Sequence, residues 1–312
     1  MTPTLSTGSR RGGQLPPDRW YPANDPRVST RMIDAAGEQV RVVEAGPIDG
    51  PPVLLLHGWG CSAFAWRFIV PALAAAGHRA IAPDLRGHGL SDKPEREAAY
   101  ATPTLVDHVE AVRAALGLGT HAIVGHSMGG VLARELMLRD PSRITHAVLV
   151  SPAGFGRIHR REMAVLFSPR VVVPVIPLVV TRAAVERSMR HTYGPNGEPS
   201  PREVEDYWAP SQFPAFVRAS RHLLHVFDWT PPDPAVFRER TLPPMLVILG
   251  THEQLLDAEA TEVYVATHVP QAQLEIIEGG GHAVQEDSPD QVNALLVPFL
   301  ATGGREGPTN GR

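Results

Sequence analysis

A single cysteine, Cys61, occurs in 312 residues, so no disulfide can close within the chain and no thiolate metal cluster can be assembled. A small residue in a turn or core accounts for Cys61 better than a nucleophile does. Long hydrophobic runs are also missing. The longest, Val171 to Val180, is interrupted by Pro174 and Pro177 and falls short of the ~20 apolar residues that span a bilayer. Basic stripes are absent: the net charge is −4 and the cations are scattered, which argues against nucleic acid as a partner. Arg10-Arg11 has the form of a twin-arginine signal, but Gly12-Gly13-Gln14-Leu15-Pro16-Pro17 follows where that signal requires an apolar segment. The expectation is a cytoplasmic protein with no membrane span. Spacings such as H-E-x-x-H do not occur, and neither a metal nor an organic cofactor is expected.

A hydrophobic fraction of 43% and a charged fraction of 20% describe an ordinary globular composition. The length allows one large α/β domain or a core carrying an inserted lobe. Short apolar runs alternate with helical patterns. Gln39 to Glu44 reads as part of a strand pair turned by Ala36-Gly37, and Val53-Leu54-Leu55-Leu56 as a strand covered on both faces. Further strands are read at Arg79 to Asp84, Ala122 to Val124, Ala147 to Val150, Met245 to Leu249 and Leu274 to Ile277. Helices are expected from Ser62 to Ala76, Thr104 to Leu116 and Pro289 to Leu300. This alternation predicts an α/β fold with a doubly wound, mostly parallel sheet. Between Pro152 and Pro244 only helical patches appear (Arg182 to His191, Pro201 to Trp208, Phe213 to Phe227), which predicts an inserted lobe. The resulting division is a loosely ordered arm over 1–27, a core over 28–151 and 241–301, a helical lobe over 152–240 and a polar tail over 302–312.

The chain turns on Gly125-His126-Ser127-Met128-Gly129. A β-branched run enters it and a helical pattern leaves it, which is the strand–turn–helix context of a nucleophile elbow. Glycines two before and two after the serine let strand and helix approach closely. Two readings compete at Gly58-Trp59-Gly60-Cys61-Ser62-Ala63. The spacing fits a dinucleotide fingerprint, with Asp84 as the ribose acid. Such a fingerprint normally opens a fold, however, and it leaves the elbow and His282 without a role. The alternative is an oxyanion hole built from the main-chain N–H groups of Trp59 and Met128.

A serine hydroxyl needs a base to take its proton. Of fourteen histidines, His282 follows the last strand on the glycine-rich loop Glu278 to Ala283 and satisfies the chain order serine, acid, histidine. His57, His88 and His126 read as structural. The acid that orients the base is Glu253, nearest the end of the preceding strand, with Asp257 the competing carboxylate.

Together His57-Gly58-Trp59-Gly60, Asp84 to Asp92, Gly125 to Gly130 and Gly280-Gly281-His282 resemble the motifs of α/β-hydrolase-fold proteins of the serine-esterase type, over about Arg31 to Leu300. The resemblance implies an eight-stranded sheet whose second strand is antiparallel, with a helical cap over the site. It puts Glu253 where the family usually has aspartate, a departure of one methylene. Serine at the elbow argues against the haloalkane dehalogenase and epoxide hydrolase branches, which use a carboxylate nucleophile. Carboxylesterases, lactonases, thioesterases, perhydrolases and carbon–carbon bond hydrolases remain, the last weakened because His126 replaces the asparagine often found before their serine. A non-catalytic small-molecule receptor of the same fold is the rival outside the enzymes. Met163, Leu166, Phe167, the Val171 to Val180 run, Trp208, Phe213 and Phe216 supply an apolar inventory that mostly packs the lobe itself. Without a charged clamp, the expected partner is a small to medium neutral ester or lactone.

Overall fold

A computed structural model describes residues 21–22, 25–156, 173, 175 and 180–302. Most of the N-terminal arm, Met163, Leu166, Phe167, most of the Val171 to Val180 run and the tail beyond Thr302 lie outside these residues. Within the arm, Tyr21 packs edge-on against Phe64, with ring centroids 5.8 Å apart.

Strands β1 (Ser29–Ala35) and β2 (Glu38–Ala45) form an antiparallel hairpin turned by Ala36-Gly37. Strand β3 (Pro52–Leu56) follows. The helix read from Ser62 to Ala76 is divided into a 3₁₀ turn, Ala63–Trp66, and helix α1 (Ile69–Ala75). Pro71 explains the break: inside a longer helix its nitrogen could not donate and its ring would crowd the preceding turn. Restarting at Ile69 puts Pro71 in a first turn, where no N–H is needed. Strand β4 (Arg79–Pro83), helix α2 (Thr102–Ala115), strand β5 (His121–His126), helix α3 (Met128–Arg139) and strand β6 (Ile144–Val150) come next. Helices α4 (Arg182–Thr192), α5 (Pro201–Ser211), α6 (Pro214–Val226) and the single turn α7 (Ala235–Arg238) precede strand β7 (Met245–Gly250). Helix α8 (Ala258–His268), strand β8 (Ala272–Ile277), the turn α9 (Val284–Asp287) and helix α10 (Pro289–Ala301) complete the order. No helix among the described residues is long and apolar enough to cross a membrane.

The eight strands form one sheet in the order β1-β2-β4-β3-β5-β6-β7-β8. β2 runs antiparallel to both its neighbours and the strands from β4 to β8 are parallel. Alternate residues of β3 serve opposite faces: Leu54 and Leu56 join the core that includes Leu105, Leu132 and Leu136, while Val53 and Leu55 join Trp66, Ile69 and Leu296. Burial on both faces is why the strand reads as an unbroken apolar run. Parallel strands also deliver the loops after β3, β5, β7 and β8 to the same edge, where open α/β sheets place their sites.

Asp84 ties the loop after β3 to the loop after β4. Its carboxylate accepts from the main-chain N–H of Ala63 and Leu90, each at 2.8 Å, and from Arg41 Nη1 at 3.0 Å. Burial works to raise this carboxyl, but Arg41 and the two N–H donors outweigh it and the net shift is downward. Removing one partner of such a buried pair strands the other charge. Asp84→Asn should therefore lower unfolding stability by about 3–5 kcal/mol at neutral pH, read from denaturant midpoints. Because the folded-state carboxyl lies below its unfolded value of ~3.9, the difference from wild type should shrink as the pH falls through that range.

Candidate active site

Ser127 joins β5 directly to α3 with φ 52° and ψ −114°, a left-handed conformation that costs a non-glycine residue about 1–3 kcal/mol. Its main chain is pinned on both sides. Ser127 N donates to Val150 O at 3.1 Å, and Ser127 O accepts from Gly130 N at 2.9 Å and Ala153 N at 3.1 Å. The turn also depends on close backbone approach: a Cβ on Gly129 would collide with the Leu56 carbonyl at the end of β3. A Cβ on Gly58 would lie 3.2 Å from Ser127 Cβ, so the loop after β3 lies against the elbow. Met128 is the first residue of α3, where a helix leaves its N–H groups without intrahelical acceptors and its dipole favours negative charge. Trp59 belongs to the loop that Gly58 brings against the serine. Its indole Nε1–H donates to Ser220 O of α6 at 3.0 Å.

His282 and Glu253, expected to pair from their positions alone, are in contact. His282 Nδ1 lies 2.7 Å from Glu253 Oε2, with the Glu253 side chain wholly buried. A carboxylate acceptor fixes the proton on Nδ1 and leaves Nε2 as the basic nitrogen. The other Glu253 oxygen accepts from Leu255 N at 2.8 Å and Leu256 N at 3.1 Å. The longer side chain curls onto its own loop, which is how glutamate is accommodated where one methylene less would be usual. Burial acts to raise the Glu253 carboxyl, but His282 and the two main-chain donors together bring it below the usual range. Asp257 is occupied elsewhere: its Oδ1 accepts from Ala260 N at 2.9 Å and caps α8.

His57, His88 and His126 are all buried beside the site. His57 Nδ1 donates to Gly58 O at 2.8 Å while Nε2 accepts from Leu85 N at 2.9 Å, and His88 Nε2 accepts from Gly60 N at 3.2 Å. Burial holds both rings below the ordinary histidine pKa, so they brace the loop after β3 as neutral groups. His126, read as a packing residue, has a definite bond: Nε2 donates to His282 O at 3.1 Å, with the two rings 5.0 Å apart. Nothing in the linear sequence marks that bond, because it joins the end of β5 to the loop after β8, 156 positions away. Cys61 is half-buried, and loss of solvent and the nearby Glu286 push its thiol up to about 12, which disfavours the thiolate. The dinucleotide reading fails on geometry, since Asp84 is fully buried with both oxygens engaged by Ala63, Leu90 and Arg41 and cannot meet a ribose.

A family model described as the alpha/beta hydrolase fold matches residues 51–289, and the chain belongs to that family. It is 29% identical over 290 residues to Epoxide hydrolase 3 of Xenopus tropicalis, covering 86% of this chain and 76% of the relative. It is 28% identical over 292 residues to 2-hydroxymuconate semialdehyde hydrolase of Pseudomonas sp. (strain CF600), covering 90% and 96%. Among solved structures, 2-hydroxy-6-oxo-6-phenylhexa-2,4-dienoate hydrolase from Rhodococcus sp. strain RHA1 superposes with a TM-score of 0.74 at 21% identity, over 88% of this chain and 99% of that one. That last likeness is one of fold. Epoxide hydrolases, hydrolases of meta-cleavage products and carboxylesterases thus all stand among the neighbours.

The geometry separates the two carboxylates on the β7 loop. Glu253→Gln should lower kcat for a cleaved ester by about 10²- to 10⁴-fold. Asp257→Asn should leave kcat within about twofold and cost stability of about 1 kcal/mol or less. Steady-state kinetics and thermal melts of the two variants decide the assignment.

Proposed function

We propose that this hydrolase-fold protein cleaves carboxylic esters or lactones of small to medium apolar substrates through an acyl-enzyme on Ser127. The observation that carries the reading is the buried His282–Glu253 pair, at 2.7 Å, on the strand-end edge that also holds the strained Ser127. In the first step His282 Nε2 takes the serine proton as Oγ attacks the carbonyl carbon, and the N–H groups of Trp59 and Met128 receive the developing oxyanion. His282 then protonates the leaving alcohol, and the tetrahedral intermediate collapses to the acyl-enzyme. Water, deprotonated by the same nitrogen, releases the acid and restores the serine. Glu253 stabilises the imidazolium that forms twice per turnover. The helices between β6 and β7 serve in this reading as the cap that shapes the acyl pocket. Trp59, tied through its indole to α6, stands at the junction of cap and oxyanion loop.

The resemblance to an epoxide hydrolase does not extend to that chemistry at Ser127. Attack of a serine oxygen on an epoxide carbon yields an alkyl ether, which has no carbonyl for water to attack, so the enzyme would be consumed. A second reading is kept because a 2-hydroxymuconate semialdehyde hydrolase aligns over 90% of this chain. The same three side chains would then serve a carbon–carbon bond hydrolase.

Ser127→Ala should reduce turnover of a short-chain aryl ester by at least about 10⁴-fold while the protein still unfolds cooperatively; wild-type turnover in that variant contradicts the proposal. The lowered Glu253 carboxyl fixes a second outcome. It remains ionised across the range in which a histidine base titrates, so kcat/KM should fall on the acid side with the slope of a single proton. A slope of two, or a flat profile down to about pH 4, contradicts a histidine base oriented by an ionised glutamate. Esters, lactones and vinylogous diketones assayed side by side separate the two readings.

A further inference from the structure

The loop that carries His282 is clasped by the loop joining α4 to α5, and one carboxylate lies at the centre of the clasp. Asp287 Oδ2 accepts from Gly281 N, immediately before His282, at 2.8 Å, and from Gly194 N of the α4–α5 loop at 2.8 Å. Its other oxygen accepts from Ser288 Oγ at 2.7 Å, and that hydroxyl in turn receives Asn196 Nδ2 at 3.0 Å. On the far side of His282, Ala283 N donates to Thr192 O at 3.1 Å. Asn196 closes the arrangement, giving its N–H to Gly279 O at 3.2 Å and its Nδ2 to Glu278 O at 2.7 Å. The two loops meet backbone to backbone: a Cβ on Gly194 or on Gly281 would overlap main-chain atoms of the other loop. Asp287 itself is 5% exposed.

We propose that Asp287 is a positioning residue for the base, holding the main chain at His282 in register with the helices inserted between β6 and β7. The inference rests on the serine-hydrolase reading. Glu253 sets the tautomer and tilt of the imidazole, but it cannot set where the Cα of His282 stands. That depends on its main chain: its carbonyl is held by His126 Nε2, and on either side the N–H groups of 281 and 283 end on Asp287 and Thr192. Asp287 joins one of them to Gly194 through a single oxygen, so displacing the α4–α5 loop displaces the base. Substrate that seats the inserted helices therefore also seats the nitrogen that must reach Ser127. Binding at the acyl pocket and proton transfer are coupled through this carboxylate.

Wild type, Asp287→Ala, Asp287→Asn and Asn196→Ala are compared with an activated aryl ester, counting competent sites by burst amplitude and measuring the acylation rate constant per site. Misplacing a reacting group by about 1 Å costs up to about a hundredfold, so Asp287→Ala should lower the rate constant per site by about ten- to a hundredfold. KM should change by less than about threefold. Asp287→Asn keeps an oxygen for Gly281 and Gly194 and an amide for Ser288, and should recover to within about threefold of wild type. A merely structural role would lower the burst amplitude and leave the rate constant unchanged, and that result overturns the proposal. Should Asp287→Ala fail to fold, Asn196→Ala must show a loss of about threefold or more in the same rate constant, and no loss overturns the proposal equally. Absence of any burst in wild type would instead contradict the serine-hydrolase reading.

Discussion

The site depends first on the backbone of Ser127. At φ 52° the residue sits where an L side chain is strained, and it persists because three neighbouring segments hold its amide and carbonyl. Val150 at the end of β6 takes the N–H, while Gly130 and Ala153 donate to the carbonyl. Close approach to β3 requires hydrogen, not a methyl, at residue 129. One strained residue therefore brings together the ends of β3, β5 and β6, and in the proposed mechanism that convergence is what presents the N–H groups of Trp59 and Met128 to the oxyanion.

A second constraint is that the imidazoles packed beneath the site are held in the neutral state. His57 and His88 each accept from one main-chain N–H through Nε2 and are held neutral by burial. His126 is kept neutral as well, by burial and then by the neighbouring His282, and gives its proton to the His282 carbonyl. In the proposed mechanism His282 alone among these rings gains and loses charge, with the ionised Glu253 beside it. A cluster of imidazoles that would otherwise compete for protons is thereby reduced to one base.

Much of this was legible in the sequence, for a local reason. Strands buried on both faces read as unbroken apolar runs, and Gly125 and Gly129 around a serine between strand and helix mark the elbow within five residues. Ser127 and His282 are legible as candidates from position, the first directly after β5 and the second on the glycine-rich loop after β8. The acid was less so: Glu253 and Asp257 share a loop, and what separates them is that Asp257 caps α8 while Glu253 faces His282. The division of the helix after β3 turns on the place of Pro71 within a turn, which hydrophobic periodicity does not register. Asp287 was not legible at all. Its partners Gly194 and Gly281 lie 87 positions apart in the sequence, and no pattern along the chain announces that the α4–α5 turn folds back onto the loop of the base.

The central claim is a covalent acyl intermediate on Ser127. Its most direct test is mass spectrometry of the protein quenched within the first turnover of a slowly deacylating aryl ester, followed by peptide mapping. The account predicts an adduct of the acyl mass on the peptide carrying Ser127, lost in Ser127→Ala and accumulating more slowly in Glu253→Gln. Turnover with no adduct at any time, or an adduct on another residue, would contradict it.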